Sequence, residues 1–300
     1  MISVVIALAP GRKAEVIESL KNLNHSGKYE IIIKEGLNPS ENRNNGVREA
    51  KGEIIAFLDD DAYVHKDLFN NAKNFFKENE RISIVGGPQL TPRSDGVFAK
   101  LTGIAMASYF GSQKMSKRYK RSRFDLNSDE FALTSANCFV RKDDFKKIGG
   151  FNTNLFPGED PEFFARAKNK GYLIAYNPDL IVYHKRRATY KEFFKQFYKY
   201  GNTRLKKEQY VKSKNGFLFF LPALFTVYFI PLLLLGIILH KIFLMPLVIY
   251  GMFALIASVY ESVRNNYLYG VILIPFLYMS MHIAYGCGIL VSLIKNSKTV

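Results

Sequence analysis

The stretch that decides the fold is Ile54-Ile55-Ala56-Phe57-Leu58-Asp59-Asp60-Asp61, in which an apolar run leads directly into three adjacent carboxylates. Such a short run with β-branched residues predicts a strand buried on both faces, as in a parallel sheet. Ligands of parallel α/β sheets bind beyond the carboxyl ends of the strands, which is where these aspartates fall. Neighbouring carboxylates repel one another and so favour a hard cation such as Mg²⁺ or Mn²⁺. The alternative is a solvated acidic turn in which one aspartate caps a helix beginning near His65.

Strand and helix patterns alternate on either side of this stretch. Residues 3–8 and 29–33 are apolar and β-branched, whereas residues 12–23 and 42–50 have helical patterns. Together with the strand at 53–58 they predict a mainly parallel α/β sheet with helices on both faces. Further strands are predicted at residues 82–85, 132–140 and 172–176, and further helices at 160–170 and 191–200.

The composition excludes several classes of protein. Hydrophobic residues make up 48% and charged residues 23% of the chain, which excludes a disordered protein. The formal net charge of +16 favours anionic partners, such as phosphorylated metabolites, a lipid surface or nucleic acid. Cys138 and Cys287 stand far apart in the sequence, so they form neither a disulfide framework nor a cysteine-type zinc site.

The C-terminal part has the composition of a membrane protein. Residues 215–300 contain only four Lys or Arg and one Glu. Uncharged runs lie at residues 217–239, 242–260 and 267–294, each close to the roughly 20 residues that a helix needs to cross a bilayer. They predict a membrane domain at residues 215–300 with about three transmembrane helices. A buried helical hairpin in a soluble protein is the alternative.

The charges beside these runs predict the orientation in the membrane. Residues 185–214 carry eleven Lys or Arg and only two acidic residues, immediately before the first run. The positive-inside rule then places the preceding residues in the cytoplasm and predicts a multi-pass protein of the cell membrane. Three crossings would leave Lys295 and Lys298 outside, a conflict that one shallow or re-entrant segment would remove.

Four sequence patches resemble those of a known family. They are residues 40–61 with Arg43-Asn44-Asn45-Gly46 and the three aspartates, Thr134-Ser135-Ala136-Asn137-Cys138-Phe139-Val140-Arg141, Ile148-Gly149-Gly150-Phe151, and Gly158-Glu159-Asp160 followed by Arg166 and Gly171-Tyr172. Taken in order, they resemble the family-2 glycosyltransferases of the GT-A fold. The resemblance implies a cytoplasmic GT-A catalytic domain at residues 1–188, followed by a basic amphipathic interfacial helix and linker at residues 189–214.

The resemblance also implies an activity, a metal-dependent inverting transfer from a nucleotide-diphosphate sugar. Asp61, Asp59 and His184 would hold Mn²⁺ or Mg²⁺. Asp160 would be the general base that deprotonates the acceptor hydroxyl. The donor would contact Pro10, Glu35, Arg43, Asp59 and Asp60, and the acceptor or sugar side would include Asn137, Arg141 and Glu159.

Three of the polar residues have simpler alternatives. Asp160 precedes Pro161 and Glu162, a pattern that also predicts a helix N-cap followed by a proline in the first turn. His184 could equally end a strand before a solvated basic run. His282 lies inside the last apolar run, where it is predicted to hydrogen-bond between helices rather than to take part in chemistry.

The family pattern is altered where relatives contact the base. Ala9-Pro10-Gly11-Arg12 replaces the usual Pro-Thr-x-Asn, and Glu35 stands where an aspartate is expected. The chain has no tryptophan, so the Gln-x-x-Arg-Trp signature of processive polysaccharide synthases is absent. We therefore expect one sugar to be transferred per encounter.

Two basic segments indicate the acceptor. The first contains Lys114, Lys117, Arg118, Lys120, Arg121 and Arg123. The second has aromatic residues at helical spacing with interleaved lysines, beginning at Tyr190, as in a helix at the lipid interface. We expect a membrane lipid-linked acceptor, either polyprenyl phosphate or a lipid-linked oligosaccharide. The alternative is solvated charge alone.

Two other functions agree with parts of the sequence. A metal-dependent nucleotidyltransferase would share the acidic site but would cleave between phosphates. A non-catalytic membrane-anchored basic module would explain the net charge. Carboxylates at a strand exit would repel nucleic-acid phosphates, however, so no nucleic-acid partner is expected.

Overall fold

The computed structural model describes residues 1–25, 27–212 and 216–297. Within these ranges the chain forms two compact units. The first unit comprises Met1–Arg93 and Lys117–Lys185, and the second comprises Ser94–Ser116 and Arg186–Val300. The segment 94–116 thus belongs with the C-terminal helices, whereas the predicted catalytic domain runs without interruption from residue 1 to 188.

Strands and helices alternate up to the end of the first unit, and the chain is helical thereafter. In chain order the elements are β1 (Ile2–Leu8), α1 (Val16–Leu20), β2 (Tyr29–Glu35), α2 (Pro39–Glu49), β3 (Ile54–Asp59), β4 (Ala62–Val64), α3 (Leu68–Glu78), β5 (Ile82–Gly86), β6 (Gln89–Leu90), α4 (Val97–Ala107), α5 (Tyr109–Ser112), β7 (Asn137–Arg141), α6 (Lys142–Ile148), α7 (Glu159–Asn169), β8 (Leu173–Tyr176), β9 (Val182–His184), α8 (Tyr190–Tyr210), α9 (Leu221–Ile238), α10 (Met245–Arg264) and α11 (Gly270–Ser297). Short 3-10 helices lie at Gln113–Tyr119, Gly216–Phe220 and Lys241–Leu244.

The first unit is built on a mixed sheet. Among the described residues, six strands pair in the order β2-β1-β3-β7-β5-β8. β1 is parallel to β2 and β3, β5 is parallel to β8, and β7 is antiparallel to both of its neighbours. Helices cover both faces, one over a core that contains Ile6 and Phe69 and the other over a core that contains Phe57 and Phe163. The predicted mainly parallel α/β fold is confirmed.

A smaller sheet begins directly after the three aspartates, which run from the last residue of β3 to the residue before β4. β4 pairs with β9 in antiparallel orientation, and β9 pairs with β6 in parallel. The register places Ala62 opposite His184, so backbone pairing brings His184 next to the aspartates. No sequence pattern predicts this sheet, because strands of two or three residues are too short to show a periodicity.

Some boundaries differ from the predictions where turns compete with regular structure. β7 begins at Asn137 rather than at residue 132, because the preceding residues form turns, one of them closed by the Asn137 N–H on the Thr134 carbonyl. α1 covers only Val16–Leu20 of the helix predicted at 12–23. α8 continues to Tyr210, beyond the helix predicted at 191–200.

The second unit packs its helices around α11. α4 is an apolar helix without a counterpart among the predicted elements, and its contacts with α10 and α11 explain why the segment 94–116 belongs to this unit. The Tyr190 hydroxyl of α8 lies 3.2 Å from Ser280 Oγ of α11. The Tyr250 hydroxyl of α10 lies 2.8 Å from His282 Nδ1 of α11, so the predicted hydrogen bond of His282 between helices is confirmed.

The apolar runs of the sequence form helices of sufficient length to cross a membrane. In the described part of the chain they are Phe217–Ile238, Lys241–Arg264 and Gly270–Lys295. Large apolar side chains are exposed along α9 and α10, for example Leu234 and Phe253. Exposure of this kind along whole helices is expected of a surface that faces lipid.

The crossing of α8 and α11 is close enough to require glycine, which leads to a first prediction. A Cβ on Gly201 of α8 would lie 2.0 Å from the Tyr285 carbonyl oxygen, whereas a Cβ on Gly251 of α10 would meet nothing within 4 Å. Gly201→Ala should therefore lower the stability of the detergent-solubilised protein in a thermal unfolding assay, by about 1–3 kcal/mol. The same change at Gly251 should be neutral or slightly stabilising. Equal unfolding midpoints for the two variants would contradict the close crossing.

Candidate active site

The carboxyl ends of β1, β2 and β3 meet at one edge of the main sheet. The register pairs Leu8 with Glu35, and Asp59 ends β3 beside them, so the loops that follow these strands are neighbours. After β1 the chain turns at Gly11, whose φ of +76° favours glycine. The Gly11 N–H donates to Glu35 Oε1 at 3.3 Å and joins two of the loops. Pro10 and Glu35, predicted on the donor side, are both exposed at this edge.

Asp59, Asp61 and His184 form a cluster with the composition of a metal site. One ligand atom from each residue lies within 4.8 Å of the others. His184 Nε2 is 3.1 Å from Asp61 Oδ1 and 3.5 Å from Asp59 Oδ2. His184 Nδ1 lies 3.0 Å from the Lys185 carbonyl oxygen, which can only accept, so Nδ1 carries a proton and Nε2 is directed at the carboxylates.

The charges of this cluster shift its pKa values. Burial lowers the pKa of His184, but the hydrogen bonds and charges of Asp59 and Asp61 outweigh burial and raise this pKa to about 9. Burial raises the pKa of Asp61, but His184 and Arg12 bring it well below its usual range. Without an ion, Asp61 is therefore ionised and His184 protonated at neutral pH, and a divalent ion would bind in place of the His184 Nε2 proton.

Arg12 adds a second cation beside the aspartates. Its Nε lies 2.9 Å from Asp60 Oδ2, and its Nη2 lies 3.1 Å from Asp61 Oδ2. Burial and the neighbouring Asp61 raise the pKa of Asp60, and Arg12 offsets part of this rise. In the sequence Arg12 stands out only as a departure from the family pattern. Its contact with the aspartates depends on the turn after β1, which no local pattern reveals.

A buried arginine connects the aspartates to α7. Arg43 of α2 donates from Nη2 to Asp59 Oδ1 at 3.1 Å and from Nη1 to Glu159 Oε1 at 2.9 Å. Arg43 is 6% exposed and Glu159 is 3% exposed, so the ion pair is almost fully desolvated. Burial and the adjacent Asp160 raise the pKa of Glu159 to about 7, against the effect of Arg43. One guanidinium thus serves carboxyl groups from two parts of the chain.

Asp160 lies in the first turn of α7. The helix begins at Glu159 after Gly158, whose φ is +118°, so Gly158 is the N-cap residue in place of the predicted Asp160. The Ser135 N–H donates to Asp160 Oδ2 at 3.1 Å and orients this half-buried carboxylate. Acidic residues are favoured at the N-terminal end of a helix by its dipole.

Asn137, predicted on the acceptor or sugar side, is engaged with the backbone. It begins β7 near the aspartates, opposite Leu58 of β3. Its side chain is fully buried, and its amide donates to the carbonyls of Pro88 and Leu180 at 3.0 and 2.7 Å. These bonds join the main sheet to the loops beside the small sheet. The contacts of Asn137 are therefore those of a structural residue.

Arg141, also predicted on the acceptor or sugar side, lies at the other end of β7. It pairs in register with Ile54, the first residue of β3, whereas Asp59 is the last. Its guanidinium donates to the carbonyls of Ile82 and Phe76, each at 3.0 Å. Because β7 is antiparallel to β3, its two ends lie at opposite edges of the sheet. The structure does not bring Arg141 to the cluster.

The basic segment around residues 114–123 is partly tied into the first unit. Arg118 is buried, and its guanidinium donates to the carbonyls of Phe131 and Glu130. Lys117 pairs with Asp125, and Arg121 pairs with Asp179. These three cations have local partners, which weakens the expectation that this segment presents free charge to an acceptor phosphate.

The donor set fits a divalent ion. Two carboxylates and an imidazole suit Mn²⁺, and carboxylate oxygens suit Mg²⁺. The oxygens nearest to His184 are Asp59 Oδ2 and Asp61 Oδ1. The arginines contact the other two oxygens, Arg43 at Asp59 Oδ1 and Arg12 at Asp61 Oδ2. The outer contacts thus orient the inner oxygens towards a common point, as partners of metal ligands do.

Sequence comparison identifies relatives over most of the chain. The sequence model described as Glycosyl transferase family group 2 matches residues 54–290. The dolichyl N-acetyl-alpha-D-glucosaminyl phosphate 3-beta-D-2,3-diacetamido-2,3-dideoxy-beta-D-glucuronosyltransferase of Methanococcus voltae is 22% identical over 290 residues, which are 95% of this chain and 84% of that protein. The glycosyltransferase AglE of Haloferax volcanii is 26% identical over 155 residues, which are 52% of this chain. The matched region spans only 47% of AglE.

Structural comparison identifies the fold. The mannosyltransferase PcManGT of Pyrobaculum calidifontis, solved in complex with GDP-Man and Mn²⁺, has a TM-score of 0.57 to this chain. The match covers 98% of this chain and 87% of PcManGT at 12% sequence identity. The GT-A fold implied by the four sequence patches is confirmed.

Removal of the shared guanidinium should destabilise the first unit. Arg43→Met leaves Glu159 buried without its cation and takes one cation from Asp59. Breaking a buried pair from one side typically costs about 3–5 kcal/mol, so urea unfolding should show a loss of that order. Adding Glu159→Gln should recover part of the loss, because the uncompensated carboxyl group is then removed.

Arg48→Met is the matched control, because Arg48 lies on the exposed face of the same helix. This variant should change the stability by less than about 0.5 kcal/mol. Simply additive losses for Arg43→Met and Glu159→Gln in the double variant would contradict the shared role of the guanidinium.

Proposed function

The chain belongs to glycosyl transferase family group 2, and from that premise we propose that it is a metal-dependent inverting glycosyltransferase acting on a lipid-linked acceptor. Its donor would be a nucleotide-diphosphate sugar. The observation that carries the proposal is a pair of connected acidic sites. The cluster of Asp59, Asp61 and His184 is joined through Arg43 to the residue directly before Asp160.

Asp59, Asp61 and His184 would hold Mn²⁺ or Mg²⁺. When bound, the ion would supply positive charge to the diphosphate as it leaves the sugar. The protein contributes the orientation of the ligands, because Arg43 and Arg12 hold the outer oxygens of the two carboxylates. Ligands fixed in advance need no rearrangement during the reaction.

The donor nucleotide would lie over the loops at the carboxyl ends of β1 and β2. Pro10 and Glu35 are exposed there and are available to the base and ribose. Asp60 is buried against Arg12, so its contribution to donor binding would be to position that guanidinium. Arg43 would likewise act through Asp59, since its side chain is buried.

Asp160 would act as the general base. Its Oδ2 accepts the Ser135 N–H, which fixes the orientation of the carboxylate. The neighbouring Glu159 is directed at Arg43, so the two adjacent carboxyl groups serve different partners. Deprotonation of the acceptor hydroxyl, with attack opposite to the departing diphosphate, would invert the anomeric configuration.

The second unit would hold the enzyme and its acceptor at the membrane. α9 and α10 expose apolar side chains along their length, which is the surface that a lipid tail and a bilayer require. The Methanococcus voltae relative has a dolichyl sugar phosphate in its name, which supports an acceptor of that chemical class. We therefore propose a polyprenyl phosphate or lipid-linked oligosaccharide acceptor. A lipid-linked oligosaccharide would supply the hydroxyl that Asp160 deprotonates, whereas a polyprenyl phosphate would attack through an ionised phosphate oxygen and would not need the base. The eleven cations at residues 185–214 support a cytoplasmic first unit.

The proposed base is tested by Asp160→Asn. The variant keeps the size and the hydrogen-bond acceptor of the side chain but removes the base, so transfer should fall by about 10²–10⁴-fold. Nucleoside diphosphate affinity, measured by calorimetry, should stay within about twofold of the parent, a margin of less than 0.5 kcal/mol. Asp143→Asn is the control, since Asp143 occupies the first turn of α6. Equal loss of transfer and nucleotide binding would assign Asp160 to folding instead.

The proposed metal site is tested by Asp61→Ala. The detergent-solubilised protein is incubated with Mn²⁺, labelled nucleotide sugars and a lipid extract, and label in the organic phase is counted. Asp61→Ala should lose both this signal and Mn²⁺ binding measured by paramagnetic resonance, because a ligand is removed. Label transfer that persists in the variant would refute the assignment. Release of a nucleoside diphosphate is expected, whereas release of sugar 1-phosphate, by cleavage between the two phosphates of the donor, would indicate a nucleotidyltransferase.

A further inference from the structure

α8 lies along α11 for a large part of its length. The Tyr190 ring stacks on the Phe276 ring with centroids 5.5 Å apart. Further along, Gly201 approaches the Tyr285 backbone, and Gly288 of α11 approaches the backbone of Tyr198. The contact therefore extends from Phe276 to Gly288, which is about 18 Å at 1.5 Å per residue. That length is more than half of a hydrocarbon core of about 30 Å.

The outer face of α8 is cationic. Lys191, Lys195 and Lys199 recur every four residues and are exposed, whereas Phe193 and Phe197 on the opposite face are buried. Since Tyr190 lies beside Phe276 and Gly201 beside Tyr285, Lys195 is level with the middle of α11. If α11 crossed the bilayer, these lysines would stand near its centre, where charged side chains are strongly disfavoured. Snorkelling helps lysines near a membrane surface, not lysines at the midplane.

α11 also differs from the other apolar helices in its burial. In the most apolar stretch of α11, 50% of the residues are buried within the protein. The corresponding buried share is 12% for Phe217–Ile238 and 11% for Lys241–Arg264. The Tyr250–His282 hydrogen bond and the Ser258 hydroxyl, which donates to the Gly270 carbonyl at 2.8 Å, attach α10 to α11. α11 is thus covered by the cationic α8 and by α9 and α10, whose exposed side chains are apolar.

We infer that α11 lies at the boundary between lipid and water and does not cross the bilayer. α8 occupies the water side, with its lysines directed at anionic headgroups. α9 crosses the bilayer, and α10 crosses it again in the opposite direction. The number of crossings is then even, so the chain leaves α11 on the side that holds α8. This arrangement removes the conflict that Lys295 creates with the positive-inside rule for three crossings. It rests on membrane attachment and is independent of the proposed catalytic chemistry.

The side of the C-terminus tests the inference. Green fluorescent protein and alkaline phosphatase are fused in turn after residue 300 of the full chain in a bacterial inner membrane. We expect fluorescence and no phosphatase activity, as for the same reporters fused before residue 1. An added apolar helix of about 20 residues before the reporter must reverse both signals, which validates the assay. Active phosphatase without the added helix would overturn the inference.

The depth of α8 is tested independently by spin labels in vesicles of zwitterionic and anionic phospholipid. A label at Lys195→Cys should be relaxed by a water-soluble nickel chelate and little by oxygen. A label at Met252→Cys, on the exposed face of α10, should show the reverse. Both are made in a chain with Cys138→Ala and Cys287→Ala, and an unchanged circular dichroism spectrum and size-exclusion profile show that each is folded. If the label at residue 195 were as strongly shielded from the nickel chelate as the label at residue 252, the water-facing position of α8 would be refuted.

Discussion

The guanidinium of Arg43 is the interaction on which the site depends. A buried cation is tolerated only when carboxylates compensate its charge. Here Asp59 and Glu159 do so from two distant parts of the first unit's sequence. The Arg43–Glu159 contact joins residues 116 positions apart. It fixes the start of α7 against α2 and the end of β3. The acidic cluster and Asp160 therefore share one support, and a change in that support is expected to affect both.

The aspartates could be located from sequence because their signal is local. An apolar strand followed at once by carboxylates specifies both the element and the edge of the sheet where the side chains emerge. His184 had no such signal and was assigned only through the family resemblance. Its position depends on the pairing of β9 with β4, two strands of three residues that lie far apart in the sequence. Pairings of this kind leave no periodic pattern.

The direction of a strand in a sheet is also hidden in its sequence. Residues 137–141 have the apolar pattern of a buried strand whether they run parallel or antiparallel to β3. The antiparallel direction places Asn137 near the aspartates and Arg141 at the far edge. Arg12 was missed for a related reason, since a turn at Gly11 determines that its side chain reaches Asp60 and Asp61. Residue type alone therefore predicted the chemistry of the site better than it predicted which residues lie there.

Hydropathy has a similar limit in the second unit. It counts apolar residues along one helix but does not register the neighbours of that helix. α11 is apolar enough to cross a bilayer, yet the helix beside it carries a row of exposed lysines at matching height. The exposed lysines of α8 must stay in water or among headgroups, so the contact with α8 restricts how deeply α11 can lie in the lipid. The small residues at Gly201 and Gly288 make that contact too close for lipid to enter. The same glycines that set the helix packing thereby hold the lysine row of α8 against the apolar α11.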